Sequence, residues 1–174
     1  AKQDTASALK NFQLASEQDA TFYDPVEQIS RIYAVQQPPY AMDYLRKAQR
    51  QFPDYPTARY ELALYLQSHG EPEEALLHYD TLLMQRPDNY IVLFNKGYVN
   101  YVYLEDNEAA LDYFNQALEV KPDYLDAKYN KGRVIEQMGD YAQAMEIYKE
   151  VLKQKPDYTL AIDAINRIQN QETE

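Results

Sequence analysis

The phrase Pro-Asp followed by Tyr or Asn recurs four times in this chain: Pro53-Asp54-Tyr55, Pro87-Asp88-Asn89, Pro122-Asp123-Tyr124 and Pro156-Asp157-Tyr158. The intervals are 34, 35 and 34 residues. Helices and strands have periods of a few residues, so neither alone generates such a spacing. A recurrence of this length requires a repeated supersecondary unit that buries its apolar face on its neighbours.

Each unit reads as two helices. In the last full unit a helical stretch, Ala127 to Met138, is ended by Gly139-Asp140, and a second runs from Tyr141 to Lys155 before Pro156. Glycine supplies a left-handed turn, and Asp140 can cap the next helix. An earlier unit writes the turn as Gly70-Glu71-Pro72-Glu73-Glu74, with proline and acidic residues suited to a first helical turn. Asp54, Asp88, Asp123 and Asp157 are each expected to cap the helix that follows.

Small residues at fixed positions indicate how the helices meet. Twelve residues before each proline stands an alanine, at 41, 75, 110 and 144. Five before it stand Ala48, Leu82, Ala117 and Val151. The first helix carries Ala63, Gly97 or Gly132, and the second carries Leu45, Tyr79, Phe114 or Tyr148. A glycine inside a helix costs about 1 kcal/mol against alanine, so close packing against a large side chain is its expected reason.

These phrases resemble the tetratricopeptide repeat. The resemblance rests on Tyr129-Asn130-Lys131-Gly132, Gly139-Asp140-Tyr141, Ala144, Tyr148 and Lys155-Pro156, and on Leu93-Phe94-Asn95-Lys96-Gly97 with Ala110, Phe114, Ala117 and Pro122. It divides the chain into full repeats at Pro56–Asn89, Tyr90–Tyr124 and Leu125–Tyr158. A degenerate repeat, Phe22–Tyr55, precedes them, with Pro38-Pro39 in place of the glycine turn and Ile29 at the small-residue site. Residues 1–21 form an N-terminal extension, with a helix expected over Ala6–Ala15. Residues 159–174 hold a capping helix over Thr159–Gln169, with 170–174 frayed. The implied fold is all-α, a right-handed solenoid of antiparallel helix pairs. Several positions depart from the family pattern. Arg59, Leu93 and Lys128 replace its usual Trp, and Lys96 and Lys131 stand where Leu is common, their stems packing while the amines reach water. One extra residue near Leu104–Asn107, where glycine is absent, implies a longer or distorted turn.

The resemblance implies that the second, fifth, ninth and twelfth residues of each repeat line a concave, ligand-binding surface. These are Thr57, Tyr60, Leu64 and Gln67; Ile91, Phe94, Tyr98 and Tyr101; and Asp126, Tyr129, Arg133 and Glu136. Their spacing of three and four places each set on one helical face. Asn95 and Asn130, each before a lysine-glycine pair, are candidates to hydrogen-bond a ligand backbone. The five rings among these residues suit recognition of a protein or peptide. Related arrays grip a terminal carboxylate with lysine, asparagine and arginine at set inward sites. The matching residues here are Val26, Ser30, Glu61, Ile91 and Asn95, or in the next register Tyr60, Leu64, Asn95, Asp126 and Asn130. Neither offers a basic pair, so the expected ligand is an apolar or basic segment met by Asp126 and Glu136.

Composition narrows the alternatives. The formal charge is −11, with 8 basic and 12 acidic residues up to Pro87 and 9 and 16 beyond it. An acidic chain with no basic block is unsuited to nucleic acid or to an anionic membrane surface. No apolar run approaches the roughly 18 residues of a membrane span. Cysteine is absent, which excludes disulfides and thiolate chemistry. The two histidines, His69 and His78, lack metal spacing, and His69 reads as a solvated turn residue. Glu105-Asp106-Asn107-Glu108 lacks a calcium-loop frame. None of Ser7, Ser16, Ser30 and Ser68 lies in a nucleophile elbow. The chain is therefore read as a non-catalytic adaptor with no cofactor and no metal. Self-association as a homo-oligomer and service as a regulatory module of a larger protein are the alternatives. The polar start at Ala1 fits either an exported protein of a bacterial envelope, which this reading favours, or a cytoplasmic one.

Overall fold

The computed structural model describes residues 38–171 together with Lys10, Asn11, Leu14, Ala15, Asp24, Pro25, Gln28, Ile29 and Ile32. Most of the helix expected over Ala6–Ala15, most of the first helix of Phe22–Tyr55, and 172–174 lie outside these residues. The elements are α1 (Pro38–Gln51), α2 (Pro56–Ser68), α3 (Pro72–Gln85), α4 (Tyr90–Val102), α5 (Asn107–Val120), α6 (Leu125–Gln137), α7 (Tyr141–Gln154) and α8 (Thr159–Gln171). They fall into two compact units, residues 1–82 and 83–174.

The Pro-Asp phrase ends one helix and starts the next through a turn closed by the backbone. Tyr55, Asn89, Tyr124 and Tyr158 each donate an N–H to the carbonyl three residues back, at 3.0, 3.2, 3.1 and 3.1 Å. Proline second and aspartate third is the favoured order for such a turn. This corrects the expected role of Asp54, Asp88, Asp123 and Asp157. Aspartate is consumed in the turn one residue too early, and the helix-capping positions before α2, α4 and α6 are Tyr55, Asn89 and Tyr124. Of these three only Asn89 caps with its side chain, accepting from the Val92 N–H.

The turns within repeats behave as expected. Gly70 and Gly139 have φ of +87° and +91°, and Asp140 accepts the Gln143 N–H at 2.9 Å. In the repeat with the extra residue Glu105 takes the glycine's place at φ +55°. The closing bond there spans six residues, from Asp106 N–H to the Asn100 carbonyl at 2.8 Å. In the other two repeats it spans five, Glu71 to Leu66 and Asp140 to Ile135. Asp106 caps α5 by accepting the Ala109 N–H, while the neighbouring Asn107 Oδ1 is buried without a hydrogen-bond partner. Pro38-Pro39 opens α1, as Pro72 opens α3, while residues 33–37, where the preceding turn would fall, lie outside the described residues.

In the first unit α1 packs on α2, and Arg46 reaches Glu74 of α3 at 2.9 Å. Its core holds Ile29, Leu45, Leu62, Leu66 and Tyr79, with Ala41, Ala63 and Ala75 wholly buried. In the second unit α4 packs on α5, α5 on α6, α6 on α7 and α7 on α8. A Cβ on Gly97 would lie 2.7 Å from the Phe114 ring, and one on Gly132 would lie 2.6 Å from the Tyr148 ring. Both rings have zero exposure, so the glycines are where large side chains enter. Lys96 departs from expectation. It is buried, with its ammonium 4.2 Å above the Tyr113 ring and 2.7 Å from the Tyr113 hydroxyl, so burial of the stem carried the charge onto a ring face rather than into water. Helix α8 covers the last pair with Ala161, Ala164 and Ile168, and with no Gly or Pro to stop it continues through Asn170, where fraying was expected, to Gln171.

Candidate functional site

The positions of α4 expected to face a ligand carry Ile91, which is exposed, and the half-buried Phe94, Tyr98 and Tyr101. Phe94 is also a packing residue, with Phe114 at 5.7 Å and Tyr124 at 5.2 Å between ring centroids. Tyr98 lies between Phe94 and Tyr103, each 6.2 Å away. On α6, Tyr129 is flanked by Tyr148 at 5.7 Å and Tyr158 at 5.5 Å, and burial pushes its phenol pKa up. Tyr124 and Tyr158, each following a Pro-Asp turn, thus pack back onto a ring of the first helix of their own repeat. Phe94 and Tyr129 are tied into the packing by these rings, and both, like Tyr98 and Tyr101, remain half-buried.

Asn95 and Asn130 spend an amide N–H on their own helices, donating to the Ile91 and Asp126 carbonyls at 2.9 and 2.8 Å. Both are buried, which leaves less of either side chain for a ligand than the sequence suggested.

The twelfth position of the repeat divides by its neighbour. In the first unit Tyr79 donates its hydroxyl to Gln67 at 2.7 Å, and in the second Tyr148 donates to Glu136 at 2.7 Å. Where the second helix carries Phe114 there is no hydroxyl to satisfy, and the twelfth residue is Tyr101. Gln67 and Glu136 therefore satisfy a buried phenol. Glu136 is further held by Arg167 of α8 through two bonds of 2.9 Å. Burial alone would raise its carboxyl pKa, but hydrogen bonds from Arg167 and Tyr148 outweigh this and the result is lowered. Glu136 is thus an internal ion-pair partner, contrary to its expected readiness for a basic ligand, because α8 supplies a cation first. Asp126 stays exposed and accepts the Tyr158 hydroxyl at 3.1 Å.

Tyr101, Tyr129, Arg133 and Glu136 line one cleft of about 610 Å³ in the second unit, joined there by Gln137, Tyr141, Leu160 and Arg167. Arg133 lies 4.8 Å over the Tyr101 ring and donates to Asn130 Oδ1 at 3.3 Å. Leu160 and Arg167, two turns apart on α8, share a side distinct from the buried Ala161, Ala164 and Ile168. That seven-residue spacing was the available sequence signal for them.

Thr57, Tyr60, Leu64 and Gln67 belong to α2 in the first unit. Thr57 is exposed, Leu64 half-buried, and Tyr60 packs 6.2 Å from Tyr79. His69 is not merely solvated. Its ring stacks on Tyr65 at 3.7 Å, and Nδ1 lies 2.8 Å from the Tyr65 carbonyl, because four residues along a helix bring the rings together. His78 lies between Arg59 and Glu74, and burial lowers its pKa. Among the described residues no group of three His, Asp or Glu side chains could hold a metal, and no helix is long and apolar enough to cross a membrane.

A tetratricopeptide-repeat family model matches residues 33–90, 60–102 and 99–159. A tetratricopeptide repeat and J domain-containing co-chaperone of Fusarium oxysporum is 33% identical over 81 residues, covering 47% of this chain and 15% of that protein. A photosystem I assembly protein of Acaryochloris marina is 31% identical over 87 residues, covering 48% of this chain and 52% of that one. The chain thus spans about half or less of these relatives' lengths. Among solved structures, a tetratricopeptide repeat protein from Parabacteroides merdae has a TM-score of 0.83 at 21% identity, covering 96% of this chain and 66% of the other. YrrB, described as a repeat protein with an unusual peptide-binding site, has a TM-score of 0.75 at 23% identity, covering 93% and 84%. These likenesses fix an all-α helical-repeat solenoid as the fold, one that serves in general as a scaffold for protein–protein interaction. With family-model matches running across most of its length, the chain belongs to the tetratricopeptide repeat family.

Proposed function

We propose that this chain is a non-catalytic adaptor that binds an extended protein segment across the aromatic face of α4 and α6. The observation that carries this reading is the pair Tyr101 and Tyr129 lining an open cleft in the second unit, with Tyr98 one turn before Tyr101 on α4. Tyrosine rings give large contact area with few rotors to freeze, and their hydroxyls suit a backbone ligand. YrrB, a protein of similar fold, is described as having an unusual peptide-binding site, which supports peptide binding as a use of this fold. Apolar side chains of the segment rest on the rings, and exposed Asp126 receives a basic residue. Thr57, Tyr60, Leu64 and Gln67 are the matching set on α2.

The test is a random-peptide display selection on the wild-type chain. Selected peptides should lose at least tenfold in affinity for the Tyr98→Ala/Tyr101→Ala double variant, with helicity by circular dichroism retained. Unchanged affinity sinks the assignment.

A second reading is self-association, favoured by the exposure of Met84 at 81% and Val120 at 44%. The name of the Acaryochloris relative, an assembly protein, is compatible with it. Sedimentation at increasing concentration decides it, since a monomer throughout rules it out.

A further inference from the structure

The cleft of the second unit carries a charge imbalance that apolar recognition leaves unexplained. Two guanidinium groups, Arg133 and Arg167, line it with a single carboxylate, Glu136. Arg167 takes both oxygens of that carboxylate, and the Tyr148 hydroxyl adds a third bond. Among the described residues Arg133 has no carboxylate within ion-pair distance. Its one hydrogen bond among the described residues is the 3.3 Å contact to Asn130 Oδ1; it lies over the face of Tyr101 and feels the Glu136 carboxylate through space. A guanidinium has five donors in a planar fork matched to a carboxylate. The cleft lining thus carries more positive than negative charge on a chain of net charge −11, a local inversion of the molecule's field.

We propose that Arg133 receives an acidic side chain of the bound segment, an Asp or Glu carboxylate seated in the cleft beside Tyr101. The inference rests on the groove reading above and adds to it the chemistry of one subsite. A side-chain carboxylate fits better than a chain terminus, because only one guanidinium is open and a terminal clamp needs a basic pair. Stacking on Tyr101 fixes the plane of the fork and leaves its edge to the ligand. Asp126, which meets the segment's basic residue, lies seven residues earlier on the same helix, about 10 Å along its axis. An extended chain covers that distance in about three residues. The segment is thus expected to carry its acidic residue about three positions from a basic one, with apolar residues between.

The same display selection tests this. Peptides captured by the wild-type chain should be enriched in Asp or Glu at one position, and their affinity should fall as NaCl rises. Arg133→Gln should weaken them by roughly ten- to a hundredfold, the size of a lost charge-assisted bond, with circular dichroism unchanged. Arg133→Lys should recover part of that loss. Carboxyl-terminal amidation of the synthetic peptides should leave affinity unchanged; a loss on amidation would overturn the side-chain assignment. Peptides that depend on Tyr98 and Tyr101 but show no acidic preference, or bind Arg133→Gln as well as wild type, would overturn this inference and leave the groove standing. Capture of no peptide, or of peptides indifferent to Tyr98 and Tyr101, would overturn both.

Discussion

The pairs α4/α5 and α6/α7 sit side by side in sequence and solve the same packing problem with different chemistry. Each lets a large ring enter over a glycine, Phe114 over Gly97 and Tyr148 over Gly132. Phe114 asks nothing more, so the twelfth residue, Tyr101, is released to the cleft and to Arg133. Tyr148 carries a hydroxyl that must be satisfied, which commits Glu136, and Glu136 in turn commits Arg167. One oxygen atom thus decides whether the twelfth residue of a repeat is engaged within the chain or left to the cleft. The turns differ as well, since the first pair connects through a left-handed Glu105 and the second through Gly139.

The strongest way to break the comparison is to fill the shared glycine site. Gly132→Leu drives side-chain atoms into a ring that is wholly buried and should destabilise the chain by on the order of 1–3 kcal/mol, read from urea denaturation. Gly97→Leu should cost a similar amount, and a neutral result at either would mean that the pair is not packed through its glycine. Exchanging the rings sharpens it further. Tyr148→Phe removes a bond to a charged acceptor and should cost about 1.5 kcal/mol, whereas Tyr79→Phe, losing a neutral acceptor in Gln67, should cost about 1 kcal/mol.

The same hydroxyl gives the pair a pH signature. Burial, reinforced by the Glu136 carboxylate, pushes the Tyr148 pKa up, and burial with Asp126 pushes Tyr158 up to about 12. An unfolded tyrosine ionises near pH 10, so above that pH the unfolded state loses protons that the folded state keeps. Stability is therefore fully present below pH 10 and falls as pH rises towards 12. Tyr148→Phe should flatten the fall in a pH series of melting curves. The smallest effect tests the turns. Glu105→Gly relieves a left-handed residue but frees the unfolded chain, for a net gain of up to about 1 kcal/mol. The reverse change, Gly139→Glu, should be destabilising.

What could be read in the sequence was what local chemistry enforces. The Pro-Asp turns, the left-handed glycines, the cap at Asp140, and the small-against-large contacts all act within a few residues or between helices joined by one turn. That the candidate positions of α4 and α6 share one helical face each was legible because three-and-four spacing places side chains on a face. That spacing could not say which of those side chains were already engaged. The Glu136–Arg167 pair joins residues 31 apart, and nothing in the neighbourhood of either names the other. The Pro-Asp caps were misplaced by one residue for a related reason: aspartate suits both a turn and a cap, and here the turn's closing bond claims it. One signal was present and unused. Tyr79 with Gln67 and Tyr148 with Glu136 pair a phenol with an acceptor twelve residues earlier, while Phe114 comes with Tyr101.

The four Pro-Asp turns close with nearly the same backbone bond, 3.0 to 3.2 Å, whatever residues flank them. Each is thus a standard joint, made by main-chain atoms and indifferent to the side chains on either side. A segment duplicated from one such joint to the next would arrive with its own stop, its own glycine notch and its own ring to fill it. Arrays of this kind can therefore lengthen by copying whole units, and the chemistry of each inner face can diverge afterwards through changes as small as a single hydroxyl.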